Sequence, residues 1–387
     1  MEKIINSICN VVIDNSYKSF NESITIFNKD KNDIKIINSN NNEAKLNIND
    51  VYDEVLIITD ENVYNHQVED LINSIKARTI YEYIVPAGEN SKCLEVYEKI
   101  LNYCIRINLS RKSVIIAVGG GVVGDLGGYI ASTYMRGIDV IQVPTSLLAQ
   151  VDSSIGGKTG INLGKLKNII GTFYQPKFTY INVNSLKTLP QDEFISGMAE
   201  VIKYSVIYDY EFLDYLIENS EAILNRDNKC LYYIVKKCAS IKVNIVGKDE
   251  KEGSLRKILN FGHTFGHGVE KLCKISHGDA VSIGMNMAFK LSISEKLISQ
   301  NYYDKFITVS KAYGLPLEFA SSLKEEDSKF ENKERLAKEV LSIMKNDKKN
   351  SFGKINLILP VELGEVKVIN NIDESKILNI IRECNNA

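Results

Sequence analysis

The feature that most limits the fold of this 387-residue chain is the run Gly119-Gly-Gly121-Val-Val-Gly124-Asp125, entered from the apolar stretch 113–118 and left by a segment of helical periodicity. A buried strand that turns through glycines into a helix opens a βαβ unit, since parallel strands need a crossover between them. Glycines there allow a tight turn and let a pyrophosphate approach a helix N-terminus, where free N–H groups and the helix dipole favour anions. Gly119, Gly121 and Gly124 satisfy Gly-x-Gly-x-x-Gly, and Gly120, Val122 and Val123 complete the turn. The acidic residue expected roughly 20 positions on would be Asp139, which precedes a strand. Asp60, at the end of an earlier apolar run, is a candidate for the ribose instead. A glycine turn without a ligand stays open as the plainer reading of the motif alone.

Around this unit, residues 1 to about 185 alternate between strand and helix. Strands are predicted at Val55–Asp60, Ile80–Val85, 113–118, 140–143 and 178–183, with helices at 62–77 and 89–107. From 192 onward the period is helical, with candidates at 192–207, 211–225, 229–246, 279–299 and 333–346 and a closing strand pair at 354–359 and 366–369. We therefore expect an α/β domain over 1–188, with a mostly parallel, doubly wound sheet, and a mainly α-helical domain over 189–387. The active site is expected in the cleft between them. The Asn-rich residues 21–50 read as polar strand and loop.

With 47 Lys+Arg against 49 Asp+Glu the chain has a formal net charge of -2, so an anion site has to be a local cluster and neither nucleic acid nor a membrane surface is an expected partner. The seven Cys form no Cys-x-x-Cys pair and read as reduced thiols. Residues 1–4 do not resemble a signal peptide, and no apolar run approaches the roughly 18 residues needed to span a bilayer. A cytoplasmic setting is expected.

Two further clusters carry chemistry. Asp152-Ser-Ser-Ile-Gly-Gly157-Lys158-Thr is not a P-loop, because Asp152 replaces its first glycine. With Lys165 and Lys167 it is instead a Gly-rich basic loop suited to an anion. Three of only four His, His263, His267 and His277, lie within fifteen positions; the fourth, His66, reads as an ordinary surface residue. On a helix, His263 and His267 at i and i+4 share a face, a spacing used by zinc ligands, and Glu200 is a candidate third ligand. Glu200 and Lys203, one turn apart on an otherwise apolar helix, could equally form a plain ion pair.

Taken together, Gly-Gly-Gly-Val-Val-Gly-Asp125, Arg136-Gly-Ile, Pro144-Thr-Ser-Leu-Leu-Ala-Gln-Val-Asp152, Gly-Gly-Lys158-Thr, Gly197-Met-Ala-Glu200-Val-Ile-Lys203, Arg256-Lys-Ile-Leu-Asn260-Phe-Gly-His263-Thr-Phe-Gly-His267 and His277-Gly-Asp279 resemble the 3-dehydroquinate synthase family of sugar phosphate cyclases. The resemblance covers about 55 to 360. It implies conversion of 3-deoxy-D-arabino-heptulosonate 7-phosphate to 3-dehydroquinate and phosphate in the shikimate pathway, which leads to chorismate and the aromatic amino acids. The steps it implies are transient oxidation by NAD, phosphate elimination, re-reduction, ring opening and aldol closure. The implied cofactors are NAD and one divalent metal, zinc or else cobalt, and the implied assembly is a homodimer.

The same resemblance implies residue roles. Glu200, His263 and His277 would bind the metal, in place of the His263–His267 pair that spacing alone suggests. Asp60, Asn62, Glu89, Lys92, Gly120, Gly121, Val122, Val123, Gly124, Asp125, Thr145, Ser146, Asp152, Lys158, Lys167, Ser185, Leu186, Lys187 and Thr188 would serve NAD or its junction with substrate. Lys158, Lys203, Lys242, Arg256, Asn260, His267, Asn168 and Lys348 (or Lys349) would meet the small anionic sugar-phosphate substrate, with Arg136 reaching the partner subunit's site. Ala87 stands where the family has Asp. Two alternatives stay open, another sugar phosphate cyclase and a metal-dependent polyol dehydrogenase that would release NADH.

Overall fold

The computed structural model describes residues 1–28, 52–164, 166–319, 333–345 and 355–385. They form two compact units, Met1–Pro190 with Leu231–Lys251, and Gln191–Cys230 with Glu252–Ala387. Leu231–Lys251, which periodicity alone assigns to the helical half, thus belongs with the first unit. It is most of the helix Asn228–Lys248.

The first unit is built on nine strands: β1 (Glu2–Ile5), β2 (Asn10–Asp14), β3 (Val55–Asp60), β4 (Ile80–Val85), β5 (Val114–Gly119), β6 (Asp139–Pro144), β7 (Lys158–Leu163), β8 (Leu166–Phe173) and β9 (Thr179–Asn182). Seven form one sheet in the order β1-β2-β9-β6-β5-β3-β4, in which every pairing is parallel except β1 with β2. The central strands are continuous apolar runs because both faces are covered. Side chains alternate between two cores: Ile57, Ile116, Val118 and Ile141 pack on one face, and Leu56, Ile58, Ile115 and Ala117 on the other with Leu126 and Ile130.

The chain steps from β3 outward to β4 and then returns to β5 on the other side of β3, so the winding reverses between β3 and β5. Thr59 pairs with Val118, so Asp60 and Gly119 close the carboxyl ends of these two strands. A doubly wound sheet offers its ligand crevice at such a reversal. Helix Gly121–Thr133 lies close on the sheet, since a Cβ on Gly127 would come within 2.9 Å of Ala117 Cβ.

Some local expectations change. The part of the expected basic loop from Lys158 through Asn168 belongs to the antiparallel hairpin β7–β8. Residues 21–28 belong to helix Phe20–Asn28 and not to polar strand and loop, and 29–50 lie outside the described residues. The helix expected at 211–225 breaks at Asn219 into Tyr210–Glu218 and Ser220–Leu224.

The second unit is helical, with β10 (Leu357–Glu362) and β11 (Glu365–Ile369) as an antiparallel pair. Three helices, Gln191–Tyr208, His263–Cys273 and His277–Ser294, come together at glycines. A Cβ on Gly266 would stand 2.7 Å from the Ala280 carbonyl oxygen, one on Gly284 would overlap the Gly262 carbonyl, and one on Gly278 would overlap the backbone of Ser196. Only glycine permits so close an approach of helix backbones. No described helix is long and apolar enough to cross a membrane.

Candidate active site and metal centre

In the first unit the residues expected at NAD gather beyond the carboxyl ends of the parallel strands. Asp60 and Asn62 follow β3, Glu89 and Lys92 follow β4, Gly120 to Asp125 follow β5, Thr145, Ser146 and Asp152 follow β6, and Ser185 to Thr188 follow β9. Asp139 stands at the opposite end of β6, where Tyr52 Oη donates to it at 3.1 Å. The glycines at 119–124 all have ordinary negative φ, so they serve close approach and not a left-handed turn. No side chain caps helix Gly121–Thr133 at Gly120, which leaves its first N–H groups for an anion. Positions for a Cβ on Gly120 and Gly121 lie 3.5 Å from Ser146 Oγ and 3.2 Å from Ser153 Oγ. Asp60 Oδ1 accepts from the N–H groups of Asn62 and Val63 at 2.9 and 3.0 Å, capping the turn after β3. Its second oxygen has no such assignment in the cap.

Lys92 is buried and its Nζ reaches Asp125 Oδ2 at 2.5 Å. Burial pushes the Asp125 carboxyl up while the Lys92 ammonium pulls the other way. Lys242, from helix Asn228–Lys248, binds Asp152 twice, donating to its backbone oxygen at 2.6 Å and pairing with its carboxylate. Lys158 opens β7 and is exposed, as are Lys167 and Asn168 on β8, and Asn168 holds a left-handed φ of 51°. Arg136 is exposed in the turn after helix Gly121–Thr133, also left-handed at φ 70°. Gln67 Nε2 donates to Thr188 Oγ1 at 3.2 Å, and buried Gln150 donates to Ser185 Oγ at 2.9 Å, so both hydroxyls are held from behind.

The second unit contains the metal-like group. Glu200 is wholly buried, and its Oε1 faces Nε2 of both His263 and His277 at 3.4 Å. One donor atom from each of these three residues lies within 4.8 Å of the others. The far nitrogens are committed elsewhere: His263 Nδ1 lies 3.0 Å from the Phe261 backbone oxygen, and His277 Nδ1 lies 3.2 Å from Glu270 Oε2. A proton on each Nδ1 satisfies those acceptors and leaves Nε2 as the atom that would bind a metal. Glu200 Oε1 is thus buried between the two ring nitrogens. Two imidazole nitrogens and an anionic oxygen so arranged fit a divalent ion of the zinc type.

Lys203 pairs with Glu200 Oε2 in full burial, one helical turn away. Burial opposes ionisation of Glu200, yet the Lys203 ammonium and the two histidines hold its carboxyl well below the usual range. Burial lowers His263 to about 4. For His277, burial also acts downward, but hydrogen bonds to Glu200 and Glu270 prevail and raise it to about 9.

His267 is outside the donor group, which corrects the i,i+4 reading. Its ring stands edge-on to that of His263 at 5.5 Å between centroids. The partner is instead His277, brought in by the next helix at 5.3 Å. Arg256 is buried in the turn Leu255–Asn260, and Asn260 donates to Glu252. Lys348, Lys349 and Lys165 lie outside the described residues. His66 is exposed, as an ordinary surface histidine should be.

Sequence reasoning missed Asn162 and Glu270. Asn162 Nδ2 donates to Glu89 Oε1 at 2.7 Å and its Oδ1 accepts from the Asn168 N–H at 2.8 Å, tying two expected binding residues together. Both are polar residues outside any motif; Asn162 sits at a register shift within β7, which leaves no mark in the sequence, and only the short step from 270 to 277 could have drawn notice to Glu270.

Residues 82–196 match the family model described as 3-dehydroquinate synthase N-terminal, and 197–350 the one described as 3-dehydroquinate synthase C-terminal. The 3-dehydroquinate synthase of Thermoanaerobacter sp. (strain X514) is 43% identical over 335 residues, covering 85% of this chain and 90% of the relative. That of Prochlorococcus marinus (strain AS9601) is 42% identical over 332 residues, covering 84% and 88%. Among solved structures, 2-epi-5-epi-valiolone synthase from Streptomyces hygroscopicus subsp. jinggangensis 5008, with NAD+ and Zn2+ bound, superimposes with a TM-score of 0.78 at 20% identity, covering 99% of this chain and 98% of that one. A 2-deoxy-scyllo-inosose synthase complexed with carbaglucose-6-phosphate, NAD+ and Co2+ gives 0.78 at 21%, covering 99% of each chain. At these identities the structural likeness speaks for the fold.

Proposed function

The chain belongs to the 3-dehydroquinate synthase family, and from that premise we propose that it converts 3-deoxy-D-arabino-heptulosonate 7-phosphate to 3-dehydroquinate and phosphate, as an NAD- and metal-dependent carbon–oxygen lyase of the shikimate pathway. The observation that carries the reading is the buried Glu200–His263–His277 group in a chain 43% identical to synthases of that name. The structural likeness to cyclases acting on other substrates and to dehydrogenases is 21% identical or less and does not shift the choice of substrate.

NAD supplies a reversible hydride acceptor and the divalent ion a Lewis acid at the alcohol to be oxidised. Glu200, His263 and His277 are the proposed ligands. Zinc is the proposed ion, because one carboxylate and two imidazoles suit it and leave a position for substrate. The uncapped turn at Gly120 to Gly124 would receive the pyrophosphate and Asp60 a ribose, with Glu89, Lys92, Asp125, Thr145, Ser146 and Ser185 to Thr188 shaping the rest. A substrate with a carboxylate and a phosphate needs cations that a chain of net charge -2 must concentrate locally. Lys158, Lys203, Lys242 and Arg256 are proposed to supply them, with Asn168, Asn260, His267 and Lys348. Lys203 also holds Glu200 ionised for the metal.

A homodimer is proposed on the exposed apolar side chains Leu163, Leu166, Ile169 and Phe173 of the β7–β8 hairpin, with Met135 beside Arg136. Thr172 Oγ1 donates to Ser132 Oγ at 3.0 Å, which sets this hairpin next to the helix that leads into Arg136. A cytoplasmic setting is proposed on seven cysteines of which none forms a disulfide.

The test is a substrate panel with the purified protein, NAD and zinc. Phosphate release and dehydroquinate formation are expected from the heptulosonate phosphate. Turnover of sedoheptulose 7-phosphate or glucose 6-phosphate in its place would overturn the assignment.

A further inference from the structure

We infer that Glu270 is a positioning residue for the metal ion, acting through His277. The inference rests on the metal reading above and goes beyond its three ligands. Glu270 belongs to helix His263–Cys273, and His277 is the first residue of the next helix, His277–Ser294. Between them the chain reverses through Lys274 at φ 52°, and Ser276 caps the second helix by accepting from the Asp279 N–H at 3.1 Å. That short, fixed connection sets the Glu270 carboxylate against the face of His277 turned away from Glu200. Oε2 lies 3.2 Å from Nδ1, and the carboxylate is itself largely shielded, with 15% of its side chain exposed.

The two ligand histidines are thus oriented by different means. His263 is held by a backbone oxygen, which no substitution removes. His277 is held by a side chain that carries charge. An anionic acceptor on Nδ1 fixes the tautomer with Nε2 free, stops the ring from turning away, and makes Nε2 a stronger donor. His277 needs this support more than His263, because its side chain is 33% exposed against 11% and packing holds it less.

The experiment is a cobalt(II) titration of the full chain, freed of metal by a chelator, followed by the visible d–d spectrum and by competition with a chromophoric chelator. The Glu270→Ala variant is expected to weaken cobalt affinity by about 10- to 100-fold and to alter the spectrum. Glu270→Gln, whose amide oxygen still accepts the Nδ1 proton without charge, is expected to recover part of the loss. Unchanged melting of the metal-free Ala variant would set the effect apart from a folding defect. An affinity for Glu270→Ala within threefold of the unaltered protein would overturn the inference. Should that variant fail to fold, Glu270→Gln decides: weakening of twofold or more supports the role, and less contradicts it. His263→Ala is run alongside. If it binds cobalt as well as the unaltered protein, the metal reading itself fails. If it loses cobalt while Glu270→Ala keeps it, only the role of Glu270 fails.

Discussion

Asn162 holds Glu89 with its amide nitrogen at 2.7 Å while its amide oxygen takes the backbone N–H of Asn168 at 2.8 Å. One side chain therefore links the segment after β4 to the exposed hairpin β7–β8. The Asn162 N–H adds a bond to the Lys92 carbonyl at 2.8 Å, fixing the segment that carries the Lys92–Asp125 pair. Asn162→Ala is expected to raise the KM for NAD by roughly fivefold, the equivalent of about one hydrogen bond, with a comparable rise for substrate through Asn168. Asn162→Asp, which sets a carboxylate against Glu89, is expected to cost more than the alanine. Steady-state kinetics in both substrates check this, and unchanged KM values would show that the link does not position either group.

The meeting of the three metal-site helices depends on missing side chains. Gly284→Ala forces a methyl group into the Gly262 carbonyl, which only a shift of one helix can relieve. We expect a loss of about 3 kcal/mol, at the upper end of overpacking effects, together with weaker metal binding. The urea midpoint and metal content of the variant measure both, and a midpoint within error of the unaltered protein would contradict the packing account.

His263 and His267 share a helix face, and only His263 belongs to the donor group; distinct roles are proposed for them. His263→Ala is expected to emerge from purification without stoichiometric metal, whereas His267→Ala keeps its metal and loses turnover. Elemental analysis of both, beside phosphate-release rates, separates them. Equal loss of metal in the two would restore the i,i+4 pair as the ligands.

Metal binding should carry a definite proton count. In the metal-free protein, the hydrogen bonds of His277 to Glu200 and Glu270 outweigh burial and raise it to about 9, so it is protonated at neutral pH, while His263, lowered by burial to about 4, is already neutral. His277 has to surrender the Nε2 proton to coordinate. Binding at neutral pH therefore releases about one proton, and affinity falls about tenfold per pH unit as pH drops below about 9. Calorimetry in two buffers of different ionisation enthalpy reads the number directly, and no release at neutral pH would contradict it.

Much of the first unit was legible in the sequence because its strands are buried on both faces. Val55–Asp60 is an apolar run closed by a turn former and is buried along its length, and the edge strand Ile80–Val85, only partly buried, also has the ends expected of it. The hairpin at 158–173 was not legible, since its outward residues Leu163, Leu166, Ile169 and Phe173 are exposed and its glycines read as loop. Helical periodicity marked the helix Asn228–Lys248 but says nothing of which unit it packs against, and most of it packs with the sheet unit. At the metal site, spacing within one helix could only pair His263 with His267. The other histidine of the donor group, His277, arrives from the next helix, which Gly262, Gly266 and Gly284 let approach closely, and a backbone approach of that kind leaves no periodic trace. Asn162 and Glu270 act through single hydrogen bonds and have no motif to announce them.

The central claim is that NAD is used and restored within one turnover. With the heptulosonate phosphate in large excess over NAD, the account predicts that phosphate and dehydroquinate accumulate in equal amounts to many times the NAD present, with no build-up of reduced nicotinamide absorbance. Product limited to the amount of NAD, with NADH accumulating in step, would contradict it and make the protein a dehydrogenase.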